Sequence, residues 1–155
     1  MSLYDKNQMN EEGKYLRNKS KTIRISRIVF LLLAAAFAAC VFVQIYIAGA
    51  AIFIEASAWV KHIQFVHLFG FNLPIFMLIF ALLGRMPRWA YWQMFGVFLS
   101  IFLMYFTANF NSVAPAAGPF HVIFAVMLMG LSSFIVIKTW QFIAAHDQTE
   151  RRNES

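Results

Sequence analysis

Four histidines occur in the chain, and two of them, His67 and His121, fall inside long apolar runs. An imidazole in hydrocarbon is costly unless it has a partner, so each such ring marks a functional position. His67 belongs to the run 61–84, KHIQFVHLFGFNLPIFMLIFALLG, and is followed by Gly70, Asn72 and Pro74. His121 follows Pro119 and Phe120 at the start of another run. Two imidazoles facing each other in surroundings rich in Phe and Met suit bis-histidine ligation of a haem iron, here haem b. Gly70, three residues from His67, shares its helix face. It either leaves room for a flat macrocycle or packs a neighbouring helix. Lys61 stands just outside the run, where it can pair with a propionate. Its neighbour His62 is an interfacial residue or the alternative iron ligand.

The competing reading needs no cofactor. Gln44, Gln64, Asn72, Thr107 and Asn109 fall in the same half of their runs as the two histidines, where they can form one polar network. A zinc site would need a third protein ligand, with Glu55 or His62 folding inward to supply it. Ser100, Ser132 and Ser133 have no base placed near them, and there is no glycine-rich phosphate loop. A hydrolase or nucleotide enzyme is therefore not expected. Proton-coupled carriers usually bury an acid, and all seven acids lie outside the apolar runs.

The elements that must position these residues follow from composition. Of 155 residues, 61% are hydrophobic, against about half in soluble domains. The mean hydropathy is +0.63. The apolar residues form runs of the roughly 20 residues that cross a bilayer. The expected fold is all-α, an integral membrane up-down-up-down four-helix bundle. Spans are expected at about 28–50, 62–84, 89–110 and 119–137 within a domain covering 28–140. A basic tail, 1–27, precedes it, mobile and ending in a short juxtamembrane helix; a second tail, 141–155, follows. The alanines from Ala34 to Ala39 allow close helix approach, and Pro74 removes the donor for the Gly70 carbonyl, so a kink is expected there. The net charge of +6 comes from basic residues flanking the spans rather than from a nucleic-acid surface. Twelve of thirteen Lys and Arg lie on one side, all but Lys61, which predicts both termini in the cytoplasm. The second and fourth spans would then be diagonal, with His67 and His121 at similar depth near the outer face.

His67-Leu68-Phe69-Gly70 near the start of the second span, with Phe120-His121 opening the fourth, resembles one half of the haem A synthase fold. That family carries histidines on the second and fourth helices of each four-helix half. The resemblance implies a haem site on His67 and His121. It departs at Gln64, where those enzymes carry a glutamate, and in having one bundle rather than two. That argues against haem oxidation and leaves haem binding open. The chain also resembles small uncharacterised four-helix bacterial membrane proteins, through Gln44-Ile45-Tyr46-Ile47-Ala48-Gly49, the histidine-glycine pair and the early histidine of the fourth helix.

The expectation is thus a multi-pass protein of the bacterial cytoplasmic membrane, with one b-type haem near the outer face and a redox or haem-handling role, without independent catalytic activity. A quinone or a redox protein would be its partner. The alternative is a cofactor-free subunit or chaperone of a larger membrane complex. Either form is compatible with a homo-oligomer.

Overall fold

The computed structural model describes residues 3–110 and 113–154. Among them every regular element is helical: α1 Leu3–Phe53, α2 Ala58–Phe69, α3 Asn72–Leu83, α4 Arg88–Phe110 and α5 Gly118–Glu154, with a single 3₁₀ turn at Pro115–Ala117 before α5. Four stretches are long and apolar enough to cross a membrane: Gln8–Phe53, Ala58–Leu83, Arg88–Phe110 and Pro115–His146. The second is α2 and α3 taken together. This is a four-span membrane protein.

The core is built from one stripe per helix. Phe30, Ala34, Phe37 and Val41 of α1 are buried, as are Ala90, Met94, Val97 and Ile101 of α4. In α5 the buried residues are Leu128, Ser132, Ile135 and Thr139. All three repeat at i, i+4, i+7 and i+11, the spacing that keeps one seam of a helix facing its neighbours. The remaining faces carry exposed Phe, Ile and Leu, as lipid contact requires. Within the alanine cluster, Ala34 alone is buried while Ala35, Ala36 and Ala39 are exposed. The cluster therefore supplies one close contact rather than a packing face.

Helix α1 packs on α2, α3 and α5, and α4 packs on α3 and α5. No close backbone approach links α1 with α4, or α2 and α3 with α5, so these pairs are the diagonals. The basic segment before the first span continues the α1 helix from Leu3, where the sequence suggested a tail ending in a short helix. No proline interrupts residues 3–53, so nothing in the chain stops the helix at the membrane boundary.

The second span breaks where Pro74 predicts. Helix α2 ends at Phe69 and α3 begins at Asn72, although Gly70 keeps a helical backbone at φ −54° and ψ −49°. The break lies in the hydrogen-bond ladder, since Pro74 has no N–H to offer the Gly70 carbonyl. Asn72 Nδ2 donates to the Leu68 carbonyl at 2.7 Å, so a side chain covers a carbonyl beside the interruption.

The turn after α3 joins the helices at one end. The Met86 N–H donates to the Ala81 carbonyl at 2.9 Å and the Arg85 N–H to the Leu82 carbonyl at 3.1 Å. That pair of bonds is a Schellman cap, with Arg85 in the left-handed region at φ 48°. Arg27 Nε donates to the Gly84 carbonyl at 2.9 Å, and its guanidinium lies 4.9 Å from the Phe142 ring centre. The Lys138 ammonium rests 5.3 Å from the Trp89 ring and 5.1 Å from that of Phe134. Cations from α1 and α5 thus meet the α3–α4 turn at a single arginine end.

Candidate functional site

The opposite end carries His62, His67 and His121. Helix α1 stops at Phe53 and α2 starts at Ala58, so the connection is four residues long. His62 therefore stands one turn inside α2 rather than at its boundary. On α2 it joins Ala58, Phe65 and Phe69, all on the stripe that faces α1.

Gln44 of α1 meets His62 twice. Its buried Nε2 donates to the His62 carbonyl at 2.9 Å. The Gln44 backbone carbonyl lies 3.3 Å from His62 Nδ1. A carbonyl only accepts, so Nδ1 carries the proton and the neutral ring keeps its lone pair on Nε2. Gln44 Oε1 is buried with no hydrogen-bond partner.

His121, in the first turns of α5, is held in the same way. Its Nδ1 lies 3.0 Å from the Met104 carbonyl of α4, which again assigns the lone pair to Nε2. Helix α2 approaches neither α4 nor α5 closely, so this end is spanned by side chains rather than by backbone packing.

His67 is placed differently. It is exposed, and its Nδ1 lies 3.4 Å from the Tyr105 hydroxyl, with ring centres 5.8 Å apart. His67 and His121 both reach the same level of α4, at Tyr105 and Met104, as their depths predicted. They reach it from different helices and with different partners. His62 shares with His121 the mode of anchoring, an Nδ1 held on a backbone carbonyl of the neighbouring helix.

Gly70 does not open space. A Cβ there would lie 2.6 Å from the Val66 carbonyl oxygen and 3.6 Å from the Tyr105 hydroxyl. It is a packing glycine at the close approach of the α2 end to Tyr105.

The other polar residues bond locally. Asn72, Thr107 and Asn109 each bond a carbonyl four residues back on the chain, at Leu68, Leu103 and Tyr105. Gln64 is exposed. Gln44 bonds to the half-buried His62 across the α1–α2 interface. Lys61 pairs with Glu55 at 3.4 Å, both well exposed. The Ser57 hydroxyl and then Lys61 hold the Glu55 carboxyl below the usual carboxylate range. Among the described residues no group of three His, Cys, Asp or Glu is placed to hold a metal ion, so the zinc reading finds no ligand set.

Residues 44–110 match the family of unknown function DUF6220. The DUF6220 segment opens on Gln44 and closes on Phe110. It contains both sides of the Gln44–His62 clamp, together with His67, Gly70 and Tyr105; His121 lies beyond it. No curated protein and no solved structure matches the chain. The likeness to haem A synthases rests on the motif residues alone, whereas the DUF6220 match and the four apolar helices fit a small four-helix membrane protein.

Proposed function

We propose that this protein binds one b-type haem near the outer face of the bacterial cytoplasmic membrane, with His62 and His121 as iron ligands and a redox or haem-handling role. The bundle runs up-down-up-down with both termini in the cytoplasm, so the histidine end faces outward. The reading is carried by one observation: both rings have Nδ1 bonded to a backbone carbonyl, at 3.3 Å and 3.0 Å. Imidazoles that ligate metals are oriented in this way, the second nitrogen being fixed by an outer partner. On donor chemistry the pair therefore fits a haem iron. When bound, haem would supply a one-electron couple. The chain's own part is to fix the tautomers, to exclude water with Phe65 and Phe69, and to offer Lys61 to a propionate in place of Glu55. A site this close to the surface suits exchange with a quinone or an external redox protein.

The test is the absorption spectrum of the full chain purified from haem-sufficient cells. Wild type should show a Soret band and reduced-form alpha band, lost in His62→Ala and in His121→Ala and kept in His67→Ala. Loss in His67→Ala with retention in His62→Ala would move the ligand to His67. A colourless wild-type protein would leave a cofactor-free membrane subunit.

A further inference from the structure

His62, His67 and His121 are held in two different ways. His62 and His121 keep Nδ1 on backbone carbonyls, which only accept, so their tautomer is fixed. His67 meets the Tyr105 hydroxyl instead, at 3.4 Å. A hydroxyl both donates and accepts. With Tyr105 donating to Nδ1, His67 Nε2 carries a hydrogen and donates. With the roles reversed, Nε2 accepts. Among the described residues the Tyr105 hydroxyl is the one hydrogen-bond partner of this ring. The ring is exposed, yet it lies about 9 Å further along α2 than Lys61. Hydrocarbon is a costly place for an unpaired imidazole nitrogen, which calls for a ligand arriving through lipid.

Tyr105 joins His67 to a flat-sided groove on α4. The groove has a volume of about 260 Å³ and is lined by Phe102, Tyr105, Phe106, Asn109 and Phe110. The Phe102 and Phe106 rings are near-parallel, at 19°, and so are those of Phe106 and Phe110, at 15°. Phe71 stacks on Tyr105 with ring centres 5.5 Å apart and planes at 25°. Aligned ring faces favour a planar guest in offset stacking. A space of this size suits a headgroup whose tail stays in lipid. An acyl chain would fill the groove and leave Nε2 unpaired. A planar ring whose oxygen changes from acceptor to donor on reduction uses both the aromatic faces and the switchable nitrogen. Met104, the neighbour of Tyr105, anchors His121, so the groove also adjoins a proposed iron ligand.

We propose that His67, Tyr105 and the rings of Phe102, Phe106 and Phe110 bind the ring of a lipid-soluble quinone, with His67 Nε2 bonded to a ring oxygen. The site names the partner of the redox reading above and rests on that reading for its purpose; binding itself needs no haem.

The experiment is photolabelling of the full chain, in vesicles of phosphatidylethanolamine and phosphatidylglycerol, with an azido-benzoquinone carrying a decyl tail. Peptide mapping should place the label within 102–110, and decylubiquinone should protect against it. His67→Phe keeps a flat ring without a hydrogen bond, and should raise the half-protecting concentration about threefold or more. Phe106→Leu should raise it by a similar factor through lost stacking. Phe95→Leu, exposed on α4 outside the groove, should stay within about twofold. Label spread evenly over the four spans, or His67→Phe behaving as wild type, would overturn the site. Equal protection by decylbenzene, which has no ring oxygen, would overturn the quinone in favour of an acyl-chain surface. Groove labelling of a colourless protein would support this site and end the haem reading; a haem-bearing protein that does not label would do the reverse.

Discussion

Gly70 has no space for a side chain. The Val66 carbonyl would stand 2.6 Å from an added Cβ, closer than atoms pack, and backbone oxygen cannot swing aside as a side chain can. Gly70→Ala should therefore destabilise the bundle by about 1–3 kcal/mol, the usual range for overpacking. Thermal unfolding in detergent would measure it. Because the strain falls beside Tyr105 and His67, the variant should keep whatever His62 and His121 bind. The same residues explain what was legible at this site. Spacing and depth set His67 and His121 at one level, and the two rings meet adjacent residues of α4, Tyr105 and Met104. Choosing His67 over His62 depended on where α2 begins. An apolar loop, with Trp59 and Val60 in it, hid a helix start at Ala58. A start four residues earlier moves His62 from the boundary to the stripe of Ala58, Phe65 and Phe69. That phase was present in the chain, and so was Gln44, whose burial required a partner across the interface.

The α3–α4 turn shows a conflict between two demands for glycine. A Schellman cap favours glycine in the left-handed position, which here is residue 85. The chain has its glycine one residue earlier, at the helix end. The reason is crowding: a Cβ on Gly84 would lie 2.9 Å from the Phe80 carbonyl oxygen of its own helix and 3.2 Å from both the Arg27 nitrogen and its Cγ on α1. Close approach thus takes the glycine, and Arg85 is left at φ 48°. An L-residue there costs about 1–2 kcal/mol, part of which glycine returns as lost chain entropy. Arg85→Gly should accordingly stabilise the protein by up to about 1 kcal/mol, seen as a raised unfolding midpoint. Arg85→Ala should give no gain, because alanine keeps the Cβ. Element order and the Pro74 interruption were readable from hydropathy and proline chemistry. The length of α1 was not. Its first turns are polar on every face, so neither an apolar stripe nor a breaker marks where helix ends and tail begins.

Across the molecule, charge and topology argue for the same orientation. Arg27, Arg85, Arg88 and Lys138 gather at one end through the Gly84 and Trp89 contacts, while the Glu55–Lys61 pair marks the other. The cytoplasmic side of a membrane protein carries the excess of Lys and Arg in its short loops. With four spans and short connections, both termini should then be inside and the Ile54-to-Ser57 turn outside. Cys40 is the single native cysteine, and it lies half-buried within the first span. Replacing it by serine leaves a background on which one new thiol reports one position. Ser57→Cys should react with a membrane-impermeant maleimide in intact cells, and Lys21→Cys only after the membrane is permeabilised. The reverse pattern would put the histidine end in the cytoplasm. It would remove the outer-face assignment of the haem ligands while leaving the geometry of their site intact. Labelling at both positions in intact cells would mean a mixed population, which so one-sided a distribution of basic residues opposes.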